Sequence, residues 1–210
     1  MKFEHTQVFN FEAALRGMRN PMNSWNRADT VFDTEQPSIG ANDLKLAQAL
    51  LKAGSDHSKF MRQIMVSVDI TAPMYWFSEF DTYKVGITAN STSKMHKLAS
   101  TEITAECFEM CDFEDAEVSD SSVSAYVEMQ LEFLEKLRRL YNETGDTRYW
   151  KELVRWLPCS WLQTRTVTMS YQNIRAMYFA RKNHKLAEWS KDFTGWVEAL
   201  PYAKELITLS

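Results

Sequence analysis

The stretch Gln63-Ile64-Met65-Val66-Ser67-Val68-Asp69-Ile70 alternates, with Ile64, Val66, Val68 and Ile70 on one side and Gln63, Ser67 and Asp69, plus Met65, on the other. A period of two predicts a half-buried strand, because successive strand side chains point to opposite faces. Thr71-Ala72-Pro73 ends it, since proline cannot donate to a ladder. A second alternation, from Trp161 to Met169, sets Thr164, Thr166 and Thr168 against Arg165, Val167 and Met169. Its β-branched residues predict a second strand.

Helical periods surround these strands. From Asn42-Asp43 the residues Leu44, Leu46, Ala47, Leu50 and Leu51 recur at helical spacing, with an Asn or Asp to cap the start and Gly54 to stop it. Pro73 opens an aromatic helix within Met74 to Val85. Ser119 to Asn142 carries the longest pattern, with Val123, Tyr126, Val127, Phe133, Leu134, Leu137, Leu140 and Tyr141 on one face and Gly145 beyond it. The acidic run Asp112 to Asp120 before it is expected to be a solvated connection. Further helices are expected over Thr147 to Trp156, over Tyr171 to about Lys185 behind a Ser170 cap, and over about Phe193 to Ile207. The first forty residues read as irregular: Phe9 to Met18 holds at most a short helix, and turn chemistry at Arg19-Asn20-Pro21 and Gln36-Pro37-Ser38 follows.

The chain has 210 residues, 45% of them hydrophobic and 25% charged, with only 6 Gly and 5 Pro, which excludes collagen-like and broadly disordered classes. One domain over residues 1–210 is expected, large enough to bury a core without metal or disulfide staples. A net charge of −4 gives no overall attraction to nucleic acid or to an anionic membrane. No apolar run reaches membrane-spanning length, and Met1-Lys2-Phe3-Glu4-His5 lacks the plan of a signal peptide, so a soluble, cytoplasmic protein is expected. Cys107, Cys111 and Cys159 are odd in number and suit reduced thiols, the first two expected to be buried. His5, His57, His96 and His184 are scattered without metal-binding spacing, so no metal site is expected. The 7 Trp, 8 Tyr, 12 Phe and 11 Met suit a core, a subunit interface or a pocket for a planar ligand.

Neither glycine-rich nucleotide fingerprint occurs. The hydroxyl-rich stretch Gly86 to Ser93 is too polar for a core element and reads as a functional loop. Within it, Asn90-Ser91-Thr92-Ser93-Lys94 can aim hydroxyls and backbone N–H groups at one anion, with Lys94 supplying charge. The competing reading is a solvated turn leading into a helix capped by Ser91 or Ser93.

The run from Ala72-Pro73 to Lys94 resembles, without a gap, the central segment of the flavin-dependent thymidylate synthases. That family has Arg-His-Arg-x-x-Ser-x-x-x-x-Ser-x-Arg, and the matching positions here are Thr82-Tyr83-Lys84, Ile87, Thr92 and Lys94. A second block is similar in the right order: Leu157-Pro158, Thr168 and Arg181 fall at the family spacing, and Arg155 matches a nucleotide-contacting arginine with one residue of slack. His57, Phe60 and the Ala14 to Arg19 pattern extend the likeness over the whole chain. The departures are Thr82, Tyr83 and Ile87 in the first motif and Ser170 and Gln172 in place of Asn and Arg in the second.

The resemblance implies an α+β fold, a central, largely antiparallel sheet flanked by helices, assembled as a homotetramer. It implies FAD as cofactor, with NADPH and methylenetetrahydrofolate as co-substrates, and transfer of a one-carbon unit to carbon 5 of dUMP. Thr92 and Arg181 would stand at the reaction centre. Arg181, Lys94 and Arg155 would neutralise the nucleotide phosphate, with Ser91, Thr92 and Ser93 donating hydrogen bonds. Glu79 stands where the family has Gln near the nucleotide, and Asn90 where it has Glu. Gln63, Thr82, Tyr83, Lys84, Ser170 and Gln172 would face the flavin. The departures keep open a nucleotide-binding protein that has lost flavin catalysis, and a protein whose aromatic surfaces serve assembly alone.

Overall fold

A computed structural model of the chain describes residues 1–32, 37–110 and 121–209, the side chains of 95, 96 and 121–123 excepted. Cys111 and the acidic run at 112–120 lie outside the described residues. Four strands, β1 (Lys2–Phe9), β2 (Met65–Pro73), β3 (Thr88–Ser91) and β4 (Leu162–Ser170), form one antiparallel sheet in the order β1-β2-β4-β3. The helices are α1 (Phe11–Gly17), α2 (Ala41–Lys52), α3 (Met74–Phe80), α4 (Lys94–Lys97), α5 (Ser121–Thr144), α6 (Thr147–Trp156), α7 (Tyr171–Arg181) and α8 (Thr194–Glu198). By packing, the chain divides into two compact units. One comprises Met1, Thr71–Asp81 and Asn90–Arg165; the other comprises Lys2–Ile70, Thr82–Ala89 and Thr166–Ser210.

In the first unit, Leu98, Ile103, Phe108, Leu134, Leu137, Leu153 and Trp161 form the buried cluster. On α3, Trp76 stacks on Phe80 with ring centroids 5.1 Å apart and meets Phe77 edge-on at 5.2 Å. Helices α5 and α6 pack on each other across Gly145, whose φ of 69° suits the residue that ends a helix. The apolar face of α5 is covered only in part: Leu134 and Leu137 are buried, whereas Tyr126, Met129 and Phe133 are exposed. Glu135 anchors the middle of α5. It accepts hydrogen bonds from Arg138 Nη2 at 2.6 Å, Arg139 Nε at 2.9 Å and the Ile103 N–H at 3.0 Å, and Arg138 in turn donates to the Ala99 carbonyl at 3.1 Å.

The Arg138 hydrogen bonds hold the Glu135 carboxyl at about 2, against the opposing pull of burial. A carboxyl lowered in the folded state adds stability that is full above its ordinary value near 4.3 and disappears as the pH falls toward 2. Glu135→Gln is therefore expected to flatten the acid limb of a stability-versus-pH curve over that interval. An unchanged acid limb in urea unfolding would remove Glu135 from acid sensitivity.

In the second unit the alternation of β2 holds: Ile64, Val66, Val68 and Ile70 are all buried. Ala14 and Leu15 of α1, Ala47 and Leu51 of α2, Val167 and Met169 of β4, and Ile174 and Met177 of α7 are buried in the same unit. On the opposite face, Ser67 and Thr168 hydroxyls lie 2.9 Å apart and Thr166 donates to Asp69 at 2.6 Å, cross-strand pairs that fix the register. Ser170 caps α7 as expected, in a reciprocal capping box with Asn173.

Several expectations change. The first residues of the chain are not irregular, because β1 runs from Lys2 to Phe9, while the expected short helix (α1) and the turns at Asn20–Met22 and Trp25–Arg27 follow it. Its exposed edge position and a left-handed residue at His5, φ 54°, erase the period-two signal. The strand β2 continues through Pro73, which sits at its end. The stretch read as a loop contains β3, whose residues are all exposed; its pairing uses backbone groups, which leave no hydrophobic pattern. The start of α2 is capped not by Asn42 or Asp43 but by Asp29, whose carboxylate accepts from the Asn42 N–H at 2.9 Å and the Asp43 N–H at 3.0 Å. The last helix breaks into a π turn (Glu188–Phe193), α8 and a second π turn (Ala203–Ile207), with Pro201 and a left-handed Tyr202, φ 54°, between the latter two. Cys107 is half-buried, its thiol 3.5 Å from the Glu102 carbonyl, and not fully enclosed.

Candidate functional site

Both units carry part of the residue set that the sequence singles out. In the first unit, β3 ends at Ser91 and the chain passes Thr92 and Ser93 into α4. The Thr92 N–H donates to the Thr164 carbonyl at 2.9 Å, and the Thr92 carbonyl accepts from Gln163 Nε2 at 2.8 Å. Asn90, Ser91 and Thr92 are thus held as exposed backbone beside β4. Ser93 occupies the N-cap position of α4, but its side chain makes no capping bond. Lys94 is half-buried, with Nζ 3.2 Å from Met74 Sδ. Burial, and after it the nearby Arg165 guanidinium, push the Lys94 ammonium below its ordinary value. A desolvated cation with thioether company attracts an anion more strongly than one in water.

Arg165 is the residue of this unit that sequence reading missed. Its Nη1 reaches Asp81 Oδ1 at 2.8 Å, its Nε donates to Gln163 Oε1 at 3.1 Å, and its Cζ lies 3.9 Å from the centre of the Phe77 ring. The available signal was a cation on the core side of an alternating strand, where Val167 and Met169 follow. Glu79 is half-buried on α3. Arg155 lies exposed on α6 and pairs with Glu152 one turn earlier.

In the second unit, Arg181 at the end of α7 donates from Nε to the Tyr83 hydroxyl at 2.9 Å. Its Cζ lies 5.1 Å from the Trp189 ring centre and 5.5 Å from that of Tyr83, and those two rings meet edge-on at 6.4 Å. Trp189 is fully buried, so the guanidinium rests on a fixed aromatic wall. Tyr83 precedes a turn in which the Ile87 N–H donates to the Lys84 carbonyl at 3.1 Å and Gly86 has φ 77°. A third turn residue with positive φ favours glycine. Asn173, the capping residue of α7, also donates to the Val85 carbonyl at 2.8 Å and so ties this turn to the helix that carries Arg181. Sequence reading missed Trp189, whose place beside Tyr83 joins residues far apart along the chain.

Thr82 and Lys84 are exposed beside Tyr83. Gln172 is half-buried on the first turn of α7, and the Ser170 hydroxyl is engaged in the capping box. Gln63 is exposed; its side chain approaches Gly17, and its carbonyl accepts from Asn10 Nδ2 at 2.8 Å. It lines a cleft of about 570 Å³ together with His57, Lys59, Arg62 and Phe60. Within each unit the structure therefore groups Thr92 with Lys94, and Tyr83 with Arg181. Among the described residues no group of three or more His, Cys, Asp or Glu is placed to hold a metal, and no helix is long and apolar enough to cross a membrane.

No family model matches this chain, and no curated protein matches it by sequence. Solved structures do. The flavin-dependent thymidylate synthase ThyX from Helicobacter pylori, complexed with FAD and dUMP, superposes with a TM-score of 0.71 at 16% identity, over 99% of this chain and 98% of that one. A second structure, Thymidylate Synthase X from the same organism with FAD and dUMP, gives a TM-score of 0.70 at 16% identity over the same shares. The fold of this chain is that of the flavin-dependent thymidylate synthases, with the α+β architecture that the resemblance implied.

Proposed function

From a chain that shares this fold over nearly its whole length, we propose a divergent flavin-dependent enzyme that transfers a one-carbon unit from methylenetetrahydrofolate to dUMP. The observation that carries the reading is the 99% coverage by structures whose own ligands are FAD and dUMP. The residues present fit both ligands chemically. The segment of exposed Thr82, half-buried Tyr83 and exposed Lys84 offers a hydroxyl, a ring and a cation, the donor set that a planar, phosphate-bearing cofactor needs, and Gln63 and Gln172 add amides. When bound, the flavin supplies hydride chemistry, recharged from NADPH.

The chain's own residues bind and orient. In the first unit Lys94 is the cation for a nucleotide phosphate, with Arg155 adding charge from α6, and in the second unit Arg181 is the corresponding cation. Ser91, Thr92 and Ser93 donate hydroxyl hydrogen bonds to the phosphate, each charge-assisted contact contributing about 1.5–3 kcal/mol. Glu79 and Asn90 face the pyrimidine. Thr92 is fixed through its backbone to Gln163 and Thr164, and Arg181 is fixed by Tyr83 and Trp189, so that each is oriented for substrate within its own unit. No nucleophilic side chain is needed for this role. Tyr126, Met129 and Phe133, at helical spacing on one exposed face of α5, support assembly into the homotetramer. The setting is cytoplasmic, and neither nucleic acid nor a membrane is a partner.

Titration of the purified protein with FAD, followed by absorbance and by size-exclusion mass with and without dUMP, tests the reading. The expected result is a flavin-bound tetramer whose FAD affinity rises when dUMP is present. Binding of dUMP with no flavin at any concentration would reduce the protein to a nucleotide binder on this scaffold.

A further inference from the structure

Arg165 occupies a position at which β4 otherwise turns apolar: Val167 and Met169 follow on the same side and are fully buried. A guanidinium there loses hydration, a cost that persists only where its contacts offset it. The contacts are specific. Nη1 meets Asp81, Nε meets Gln163, and the planar group lies 3.9 Å from the Phe77 ring centre, which leaves Nη2 outside these hydrogen bonds on a side chain 16% exposed. Gln163, only 8% exposed, does two things at once. Its amide oxygen orients Arg165, and its amide nitrogen holds the Thr92 carbonyl, within the segment that delivers Ser91, Thr92, Ser93 and Lys94. The Arg165 guanidinium lies near enough to Lys94 to disfavour its ammonium form, second to burial. Among the described ion pairs the carboxylate that meets these two part-desolvated cations is Asp81, itself partly exposed, so their charge is neutralised only in part. An anion of two charges relieves that repulsion, and a neutral ligand does not.

We propose that Arg165 is a further cation of the anion site built around Thr92 and Lys94, and that it sets the preference of that site for a dianionic phosphate monoester over the uncharged nucleoside. The identity of the ligand rests on the nucleotide reading above; the residue and the charge state it recognises go beyond that reading. Arginine suits the role because its planar fork, already fixed on two edges, can present a third donor without further loss of freedom.

Calorimetric titration of the full chain with dUMP, deoxyuridine and inorganic phosphate tests this, using wild type, Arg165→Gln and Arg165→Lys, with folding of each variant verified by its unfolding transition. Arg165→Gln is expected to weaken dUMP and inorganic phosphate about fivefold each while leaving deoxyuridine unchanged, with Arg165→Lys intermediate. The modest factor reflects partial neutralisation by Asp81. A folded Arg165→Gln protein that binds dUMP as wild type does, or that loses dUMP and deoxyuridine equally, overturns the assignment. If wild type binds phosphate but not dUMP, and Arg165→Gln weakens the phosphate, the assignment stands and the nucleotide reading falls. If wild type binds neither, both fall. Should Arg165→Gln not fold, Asp81→Asn carries the test with opposite sign: it is expected to tighten phosphate about two- to threefold, and no tightening counts against Arg165.

Discussion

Asp43→Ala is expected to destabilise the protein by about 3–5 kcal/mol, because it leaves a buried guanidinium without its countercharge. Asp43 and Arg19 have side chains 2% and 3% exposed, and Arg19 Nε meets Asp43 Oδ1 at 2.6 Å. The second carboxylate oxygen accepts from the Thr30 hydroxyl at 2.6 Å and from the N–H groups of Thr30 and Asp29 at 3.0 and 3.1 Å. One residue of α2 thus ties together Arg19, just beyond the end of α1, and residues 29 and 30. Without it, the contacts left to Arg19 among the described residues are those to Ser24, the nearer being the carbonyl at 3.2 Å.

The same geometry fixes a pH dependence. Burial alone would raise the Asp43 carboxyl, but hydrogen bonds from Thr30, Arg19 and the Asp29 backbone outweigh it and hold the group below the usual carboxylate range. Its contribution is therefore full above about pH 4 and is lost as the pH falls through the lower folded value. Urea unfolding of wild type and Asp43→Ala at pH 7 and at pH 3 reads both effects. The gap between the two proteins should narrow at the lower pH. A loss of under about 1 kcal/mol at pH 7 would mean that Arg19 finds other partners.

Arg181→Ala is expected to weaken dUMP binding by at least about tenfold while folding is retained, since it removes a cation that is already oriented before any ligand arrives. The Tyr83 hydroxyl and the buried Trp189 ring fix the guanidinium, so little rotamer freedom remains to be lost on binding. Tyr83→Phe should cost less, because the ring wall stays and only the hydroxyl acceptor goes. Calorimetry with dUMP separates these cases. Equal affinity of Arg181→Ala and wild type would take Arg181 out of the phosphate site, and a larger loss in Tyr83→Phe would make the phenol the primary contact.

What could be read in the sequence shares one property: the information is local and periodic. The core face of β2, the α5 to α6 pair with Gly145 at its junction, and the Ser170 cap each follow from residues within a few positions of one another. The likeness of the Ala72 to Lys94 and Leu157 to Arg181 blocks to a known family added the fold as a whole. Elements held by backbone pairing at an exposed position, β1 and β3, leave no such trace, and a left-handed residue at His5 removes what alternation β1 had.

The chemistry divides in the same way. Local composition selected the hydroxyl segment before Lys94, and the resemblance to the family selected the cation at Arg181. Only the tertiary structure decided how those groups are held: Gln163 joining Arg165 to Thr92, Asn173 joining the Lys84 to Ile87 turn to α7, and Asp29 capping α2 in place of the local Asn and Asp. Each of these is a hydrogen bond between groups distant along the chain. Its existence depends on how two elements approach each other, and that approach is fixed by packing rather than by any spacing that a linear sequence displays.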